Sequence, residues 1–260
     1  MFSCTNEDSA TAAALRRRMS QFYSAVEDYT AFAKSSSHPA FWEPIKKEIA
    51  ERVRQGKRCR VLELGAGRTG FADSLGPLRT QVEFHAQDIT DRNRDYLVRH
   101  ADKVFFQSVE EIEGSYDVVF STFAWEHVGR PRATLSACLR LLASGGSLYI
   151  VSPRYDFPGY IPPSARHYTK ARQAALAMWL AARRLRVALG GGPAFLVHAE
   201  PACLSRPWYR DADAIHWVSR LDLRAVGREY QVEDIDLPAS SWRQRAWQKC
   251  ALLFVRIRRR

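Results

Sequence analysis

What the chain lacks already excludes several classes. No run of apolar residues approaches the ~20 that a membrane-spanning helix needs. The opening, MFSCTNEDSATAAALRRRMS, holds no apolar core of signal-peptide length, and its basic cluster comes late. Cysteine is sparse: Cys4, Cys59, Cys138, Cys203 and Cys250 are scattered, odd in number and free of any C-x-x-C pair. That argues against a disulfide framework and a zinc site, so no metal is expected, and it suits a reducing cytoplasm. Acidic residues are missing altogether between Trp242 and Arg260, where seven basic residues stand. Of the formal net charge of +11, only +4 is left for everything before that stretch. The basic excess is a terminal patch, not a property of the whole domain.

What is present reads as a soluble globular chain. Its 260 residues are 46% hydrophobic and 26% charged, enough for one core with an added flap. Leu15, Met19, Phe22, Val26 and Tyr29 recur at helical steps, and SSSHP (Ser35 to Pro39) breaks the pattern. A second helix is expected from about Phe41 to Gln55, with Ile45, Ile49 and Val53 on one face and Gly56 as its stop.

The rhythm then changes. CRVLEL (Cys59 to Leu64) is a short apolar run ending in a glycine turn, followed by strand-like runs at Gln81 to Ile89, Lys103 to Ser108, Tyr116 to Ser121 and Ser147 to Ser152. Helical segments separate them, including Pro131 to Ala143, with Ser144 to Gly146 as its stop. This alternation predicts an α/β fold with a doubly wound, mostly parallel Rossmann-like sheet. Residues 1–57 form an N-terminal helical cap, 58–152 the ligand-binding core, and 153–240 a lid insert and the last strands. A basic amphipathic tail occupies 241–260. AFLVHA and QVEDIDL are the expected last two strands, a helix is expected from about Thr169 to Leu189, and the tail is expected to form one more helix.

VLELGAGRTG (Val61 to Gly70) carries G-x-G-x-x-G, with Glu63 just before the first glycine. In an open parallel sheet, ligands sit at the carboxyl ends of the strands. Gly65 and Gly67 let a ligand approach the backbone, and Asp88 follows Gly67 by 21 residues, the spacing at which an acid reaches ribose hydroxyls. A pyrophosphate wants helix-terminal amides and no nearby anion. Two like charges at ~4 Å repel by about 4 kcal/mol at an effective dielectric of 20. S-adenosylmethionine carries a sulfonium, an ammonium and no phosphate, so Glu63 favours it over a dinucleotide.

VLELGAGRTG, HAQD (His85 to Asp88), FFQSVEEI and YDVVFSTFAWEHVGRPRATLSACLRLLASGGSLYIVS together resemble the class I S-adenosylmethionine-dependent methyltransferases. The stretch E-H-V, proline, helix and R-L-L-x-x-G-G-x-L is especially similar to the small-molecule branch of that family. The resemblance spans about Cys59 to Ser152. It implies that Glu63, Gly65, Ala66 and Gly67 hold the methionine part, Asp88 and Ile89 the ribose, and Ser108 and Val109 the adenine, with Ser121 at the end of the fourth strand. Where many relatives carry an aspartate at the adenine position, this chain has Gln107-Ser108.

Methyl transfer needs an aligned acceptor and, for a hydroxyl, a proton acceptor. His127, in STFAWEHV, is the candidate base, because an imidazole titrates near ~6.5; orienting the loop is its alternative role. Trp125, Tyr155, Tyr160 and His167 are the candidate acceptor contacts, with a lid stiffened by aromatics as the plainer account. The end of the fourth strand lacks the Asp/Asn-Pro-Pro-aromatic motif of amino-methylating DNA enzymes, and Cys138 falls inside a helix. The expected role is methyl transfer to an oxygen of a small molecule or glycan. An RNA-directed methyltransferase and a catalytically silent adenosyl-binding or scaffolding protein stay open; a nicotinamide-dependent oxidoreductase ranks last. The chain is expected to be cytoplasmic, and its tail, with Trp242, Trp247 and seven cations, reads either as a packed helix or as peripheral contact with an anionic inner membrane face.

Overall fold

The structure is a computed structural model that describes residues 10–25, 39–56, 58–226 and 230–259. Its strands are β1 (Cys59–Leu64), β2 (Val82–Gln87), β3 (Lys103–Phe105), β4 (Tyr116–Thr122), β5 (Leu142–Pro153), β6 (Tyr230–Asp234) and β7 (Leu252–Arg259). They form a seven-stranded sheet in the order β3-β2-β1-β4-β5-β7-β6. The pairs among β1 to β5 are parallel, whereas β7 is antiparallel to both β5 and β6. The helices are α1 (Ala10–Ala25), α2 (Pro39–Arg54), α3 (Phe71–Ser74), α4 (Arg94–His100), α5 (Pro131–Arg140), α6 (Lys170–Ala188), α7 (Arg220–Ala225) and α8 (Trp242–Ala251).

Strand alternation sorts β1 between two cores. Cys59 and Val61 pack with Phe41, Trp42, Ile45 and Ile49 of α2, while Leu62 and Leu64 pack with Leu135 and Cys138 of α5 and with the lid. A third cluster joins Leu15, Met19 and Tyr23 of α1 to Val197, Ala202, Ala212 and Ile215, so the cap rests on the lid segment. Val26 and Tyr29, expected on the same helix stripe, lie outside the described residues.

The lid has its own polar centre. Arg184 of α6 pairs with Asp222 of α7 at 2.5 Å, and that carboxylate also accepts from the backbone N–H of Ala194 at 2.7 Å and Phe195 at 3.2 Å. Arg184 is buried because it turns onto the packed face beside Leu176, Leu180 and Val187. Thr169 caps α6, accepting from the Arg172 N–H.

Three expectations are corrected. The tail is not one helix: α8 ends at Ala251, and Leu252, Leu253, Phe254, Val255 and Ile257 are buried in β7. Strand β7 lies between β5 and β6, where its apolar side chains reach both cores. AFLVHA contributes only a bridge from Val197 to His216, because its neighbours are lid loops. The helix α5 stops at Arg140, and Ser144 to Gly146 fall inside β5, which enters the sheet with a register shift opposite Tyr116 and Val118.

Among the described residues no helix is long and apolar enough to cross a membrane. The α2 face is fastened by Glu48, which accepts from Ser147 Oγ at 2.7 Å, Tyr149 OH at 2.6 Å and Arg258 Nη2 at 2.8 Å. Burial by itself would raise its pKa, but the hydrogen bonds from Tyr149, Ser147 and Arg52 and the charge of Arg258 bring it down to about 2.

Candidate active site

A cavity of about 630 Å³ opens at the carboxyl ends of β1, β2 and β4. The glycine turn forms its floor, and the loop after β4, residues 208–215, α1 and α8 form its walls. This is where an open α/β sheet gathers loops from successive strands.

Both turn glycines have left-handed backbones, with φ +64° at Gly65 and +55° at Gly67. A Cβ on Gly65 would stand 2.4 Å from Ala124 Cβ, so the β4 loop closes over the turn only if that side chain is absent. Asp88 ties turn to strand: its carboxylate accepts from the Gly67 N–H at 2.8 Å and the Thr90 N–H at 3.2 Å. Each oxygen retains acceptor capacity. Burial raises the Asp88 pKa against these bonds. Gln87 adds a brace, accepting from the Gly65 N–H at 3.3 Å and donating to Gln107 O at 2.9 Å.

Glu63 does not line the cavity. Strand alternation aims it toward the α2 face beneath the turn, where it is 2% exposed and its Oε2 has no hydrogen-bond partner. Burial pushes its pKa up to about 8, with Asp88 adding to the rise and Thr69 opposing it. Burial thus favours its neutral form, and an approaching cation would favour the ionised one.

At the third strand, Ser108 and Val109 line the cavity together with Glu110. Glu110 accepts from Ser108 Oγ and from Thr134 Oγ1. An acid is therefore present at this corner, two residues after the position at which the resemblance expects one.

The loop after β4 lines the cavity from Phe123 to Arg130. Phe123 adopts φ +53°, a left-handed backbone at a non-glycine residue, and such strain concentrates at ligand sites. His127 is on the cavity wall with its side chain 23% exposed. Its Nδ1 lies 3.0 Å from the Asp213 carbonyl and 3.3 Å from Asp213 Oδ2. A carbonyl only accepts, so Nδ1 carries the proton and Nε2 is the accepting atom of the neutral ring. Burial lowers the His127 pKa, yet the charges of Asp213 and Glu126 outweigh it and leave it above 6.5. Glu126 is buried, accepts from Ser152 Oγ at 2.9 Å and has its pKa pushed up to about 7 by burial.

The structure thus brings Gly65, Ala66, Gly67, Asp88, Ile89, Ser108, Val109, Ser121, Trp125, His127 and Tyr160 to one cavity. It leaves Glu63, Tyr155 and His167 off the cavity wall. Tyr155 is 2% exposed, its ring stacks on Tyr160, and its N–H donates to Val218 O, so it supports the lid from within. His167 packs against Tyr168 and His198 instead. Sequence reading missed Tyr23, Gln87, Glu110 and Asp213, all on the cavity wall. Glu110, beside Ser108 and Val109, and Gln87, next to Asp88, had a local signal; Tyr23 and Asp213 are joined to the site by tertiary contacts.

The sequence signature of the methyltransferase-domain family matches residues 18–234. The ubiquinone biosynthesis O-methyltransferase of Xanthomonas axonopodis pv. citri (strain 306) is 28% identical over 160 residues, which cover 53% of this chain and 66% of that protein's length. The counterpart in Xanthomonas oryzae pv. oryzae (strain PXO99A) is 30% identical over 145 residues, 47% of this chain and 60% of that one. The chain therefore spans less than two thirds of the length of these relatives.

Two solved structures share the fold. The plantazolicin methyltransferase BamL, in complex with a triazolic desmethylPZN analog and SAH, has a TM-score of 0.54 at 12% identity, over 95% of this chain and 96% of that one. Burkholderia thailandensis 1,6-didemethyltoxoflavin-N1-methyltransferase, with 1,6-didemethyltoxoflavin and S-adenosylhomocysteine bound, has a TM-score of 0.55 at 15% identity, over 99% and 93% of the two chains. The chain belongs to the methyltransferase-domain family and has the class I S-adenosylmethionine-dependent methyltransferase fold.

Proposed function

We propose that the chain transfers the methyl group of S-adenosylmethionine to a hydroxyl oxygen of a small molecule or glycan, with His127 as the group that takes the hydroxyl proton. The observation that carries this reading is the fixed tautomer of His127: Nδ1 is held by the Asp213 carbonyl, which leaves Nε2 to accept.

The residues present fit the cofactor. Glu63 has an orphaned buried oxygen beneath the turn, and Asp88 and Glu110 bring acceptors to the cavity that Arg68 of the turn also lines. Asp88 suits ribose hydroxyls and Glu110 an amino group on a base, while Glu63 acts on an ammonium only through its charge from beneath the turn. Bound there, S-adenosylmethionine supplies a methyl group activated by positive sulfur. Gly65 and Gly67 keep the turn low, Ser121 ends the central strand beside it, and Trp125 and Tyr160 contribute apolar wall for an acceptor. Tyr23 and Met19 of α1 and Trp208 of the lid add further apolar lining to the cavity.

Charge pairing supports a small acceptor over RNA. Arg256 and Arg258, two of the cations that motivated the nucleic-acid reading, pair with Glu233 of β6 and Glu48 of α2. Peripheral membrane contact is retained in the proposal through α8 alone, where Trp242 and Trp247 are exposed beside Arg243, Arg245 and Lys249.

The test is methyl transfer from labelled S-adenosylmethionine into hydroxylated small molecules, glycans and RNA, fractionated separately. Label in the small-molecule or glycan fraction as an alkali-stable methyl ether supports the proposal. Label confined to RNA, or none in any fraction despite cofactor binding, overturns it.

A further inference from the structure

We propose that Asp213 and Tyr23 are positioning residues for His127, forming a chain Tyr23 OH, Asp213 carboxylate, His127 Nδ1 in which the cap helix α1 completes the active site. This inference rests on the reading of His127 as the proton acceptor and extends it to two residues from distant parts of the sequence.

Asp213 is 1% exposed and faces His127 twice, through its carbonyl at 3.0 Å and its Oδ2 at 3.3 Å from Nδ1. The same Oδ2 accepts from Tyr23 OH at 2.9 Å, across 190 residues. The Tyr23 ring also meets the imidazole edge to face, with centroids 6.0 Å apart. One side chain of α1 therefore touches both members of the pair. A buried carboxylate beside an imidazole would be costly to leave unpaired, so these contacts reinforce one another.

The consequence is a division of labour. The carbonyl sets which nitrogen carries the proton, and the carboxylate stabilises the imidazolium formed after proton transfer. The Tyr23 hydroxyl draws on the charge of the same oxygen, which weakens its pull on the ring. The cap is held for this by Leu15 and Met19, which pack on Val197, Ala212 and Ile215, on the segment that carries Asp213. The other charged groups around the ring are Glu126 on its own turn and Asp211, itself faced by Arg210 and Arg166.

The two residues should move the His127 titration in opposite directions. Asp213→Asn removes the negative charge and should lower it, by about one unit for an opposite charge at this range. Tyr23→Phe frees Oδ2 of its donor and should raise it by a fraction of that. The experiment is a proton–nitrogen titration of the histidine rings in the full chain saturated with S-adenosylhomocysteine, His127 being assigned from the spectrum of His127→Asn. Opposite shifts support the chain; an unmoved His127 titration in Asp213→Asn, or shifts of the same sign, overturns it. Tyr23→Phe removes a single oxygen and gives the sign test by itself if Asp213→Asn lowers stability. If both shifts occur but His127→Asn transfers methyl groups at the wild-type rate, the positioning chain is supported and the base assignment falls.

Discussion

Arg258 Nη2 donates to Glu48 Oε2 at 2.8 Å, joining the last strand to the second helix across 210 residues of sequence. The same carboxyl gathers Ser147, Tyr149 and Arg52, so the cap, the sheet centre and the C-terminal strand meet at one buried charge.

Glu48 should make the fold acid-sensitive. Its folded pKa of about 2 lies below the ordinary 4.5, so the unfolded chain binds the extra proton between those values. The contribution is present above pH 4.5 and lost as pH falls through about 2, amounting to about 3 kcal/mol. Chemical denaturation at pH 7 should show Glu48→Gln destabilised by a similar amount, with a flatter stability profile between pH 4.5 and 2.

Glu63 should act with the opposite sign. Its folded pKa of about 8 lies above 4.5, so the native state holds the extra proton and stability falls as pH rises from 4.5 to 8. The loss is at most about 5 kcal/mol. Glu63→Gln should remove that slope without S-adenosylhomocysteine. The wild type should release protons on binding the cationic cofactor at pH 7, read by calorimetry in buffers of different ionisation enthalpy.

Gly65→Ala should abolish cofactor binding. The added Cβ meets Ala124 at 2.4 Å, and φ +64° disfavours any L side chain by about 1 kcal/mol. Calorimetry with S-adenosylhomocysteine should show no measurable heat of binding while circular dichroism retains the α/β signature.

His127→Asn should lower methyl transfer by roughly 10²–10⁴-fold, the usual span for a lost general base. Cofactor affinity should change little, because the turn that holds it is built by other residues. Because Asp213 and Glu126 raise the His127 pKa, wild-type activity should climb through a midpoint above 6.5 in a pH–rate profile.

Membrane contact through α8 predicts that the chain co-sediments with vesicles containing phosphatidylglycerol and not with phosphatidylcholine alone. Replacing Trp242 and Trp247 by serine should abolish it, since both are exposed and neither closes the sheet.

The core of this protein was legible because its signals are local. A buried parallel strand is a short apolar run, so β1, β2, β4 and β5 announced themselves, as did the glycine turn and the acid ending β2. The C-terminal strand was not legible. Leu252 to Ile257 mixes apolar and cationic residues much as an interfacial helix does, and only pairing with β5 and β6 shows where its arginines go. The lid was half legible: prolines and aromatics marked it, but Tyr160 reaches the cavity while Tyr155 supports it from behind.

By itself, then, the sequence determined the doubly wound sheet, the turn at Gly65 and Gly67 and the loop that carries His127. Each is written in residues close together along the chain, where backbone geometry and hydrophobic period decide the outcome. The tertiary structure decided that Glu63 lies beneath the turn, buried and short of a partner. It also decided that His127 is held by Asp213 and reached by Tyr23. Those relations depend on where α1 and the lid come to rest, and that is set by packing across 190 residues, which no local pattern encodes.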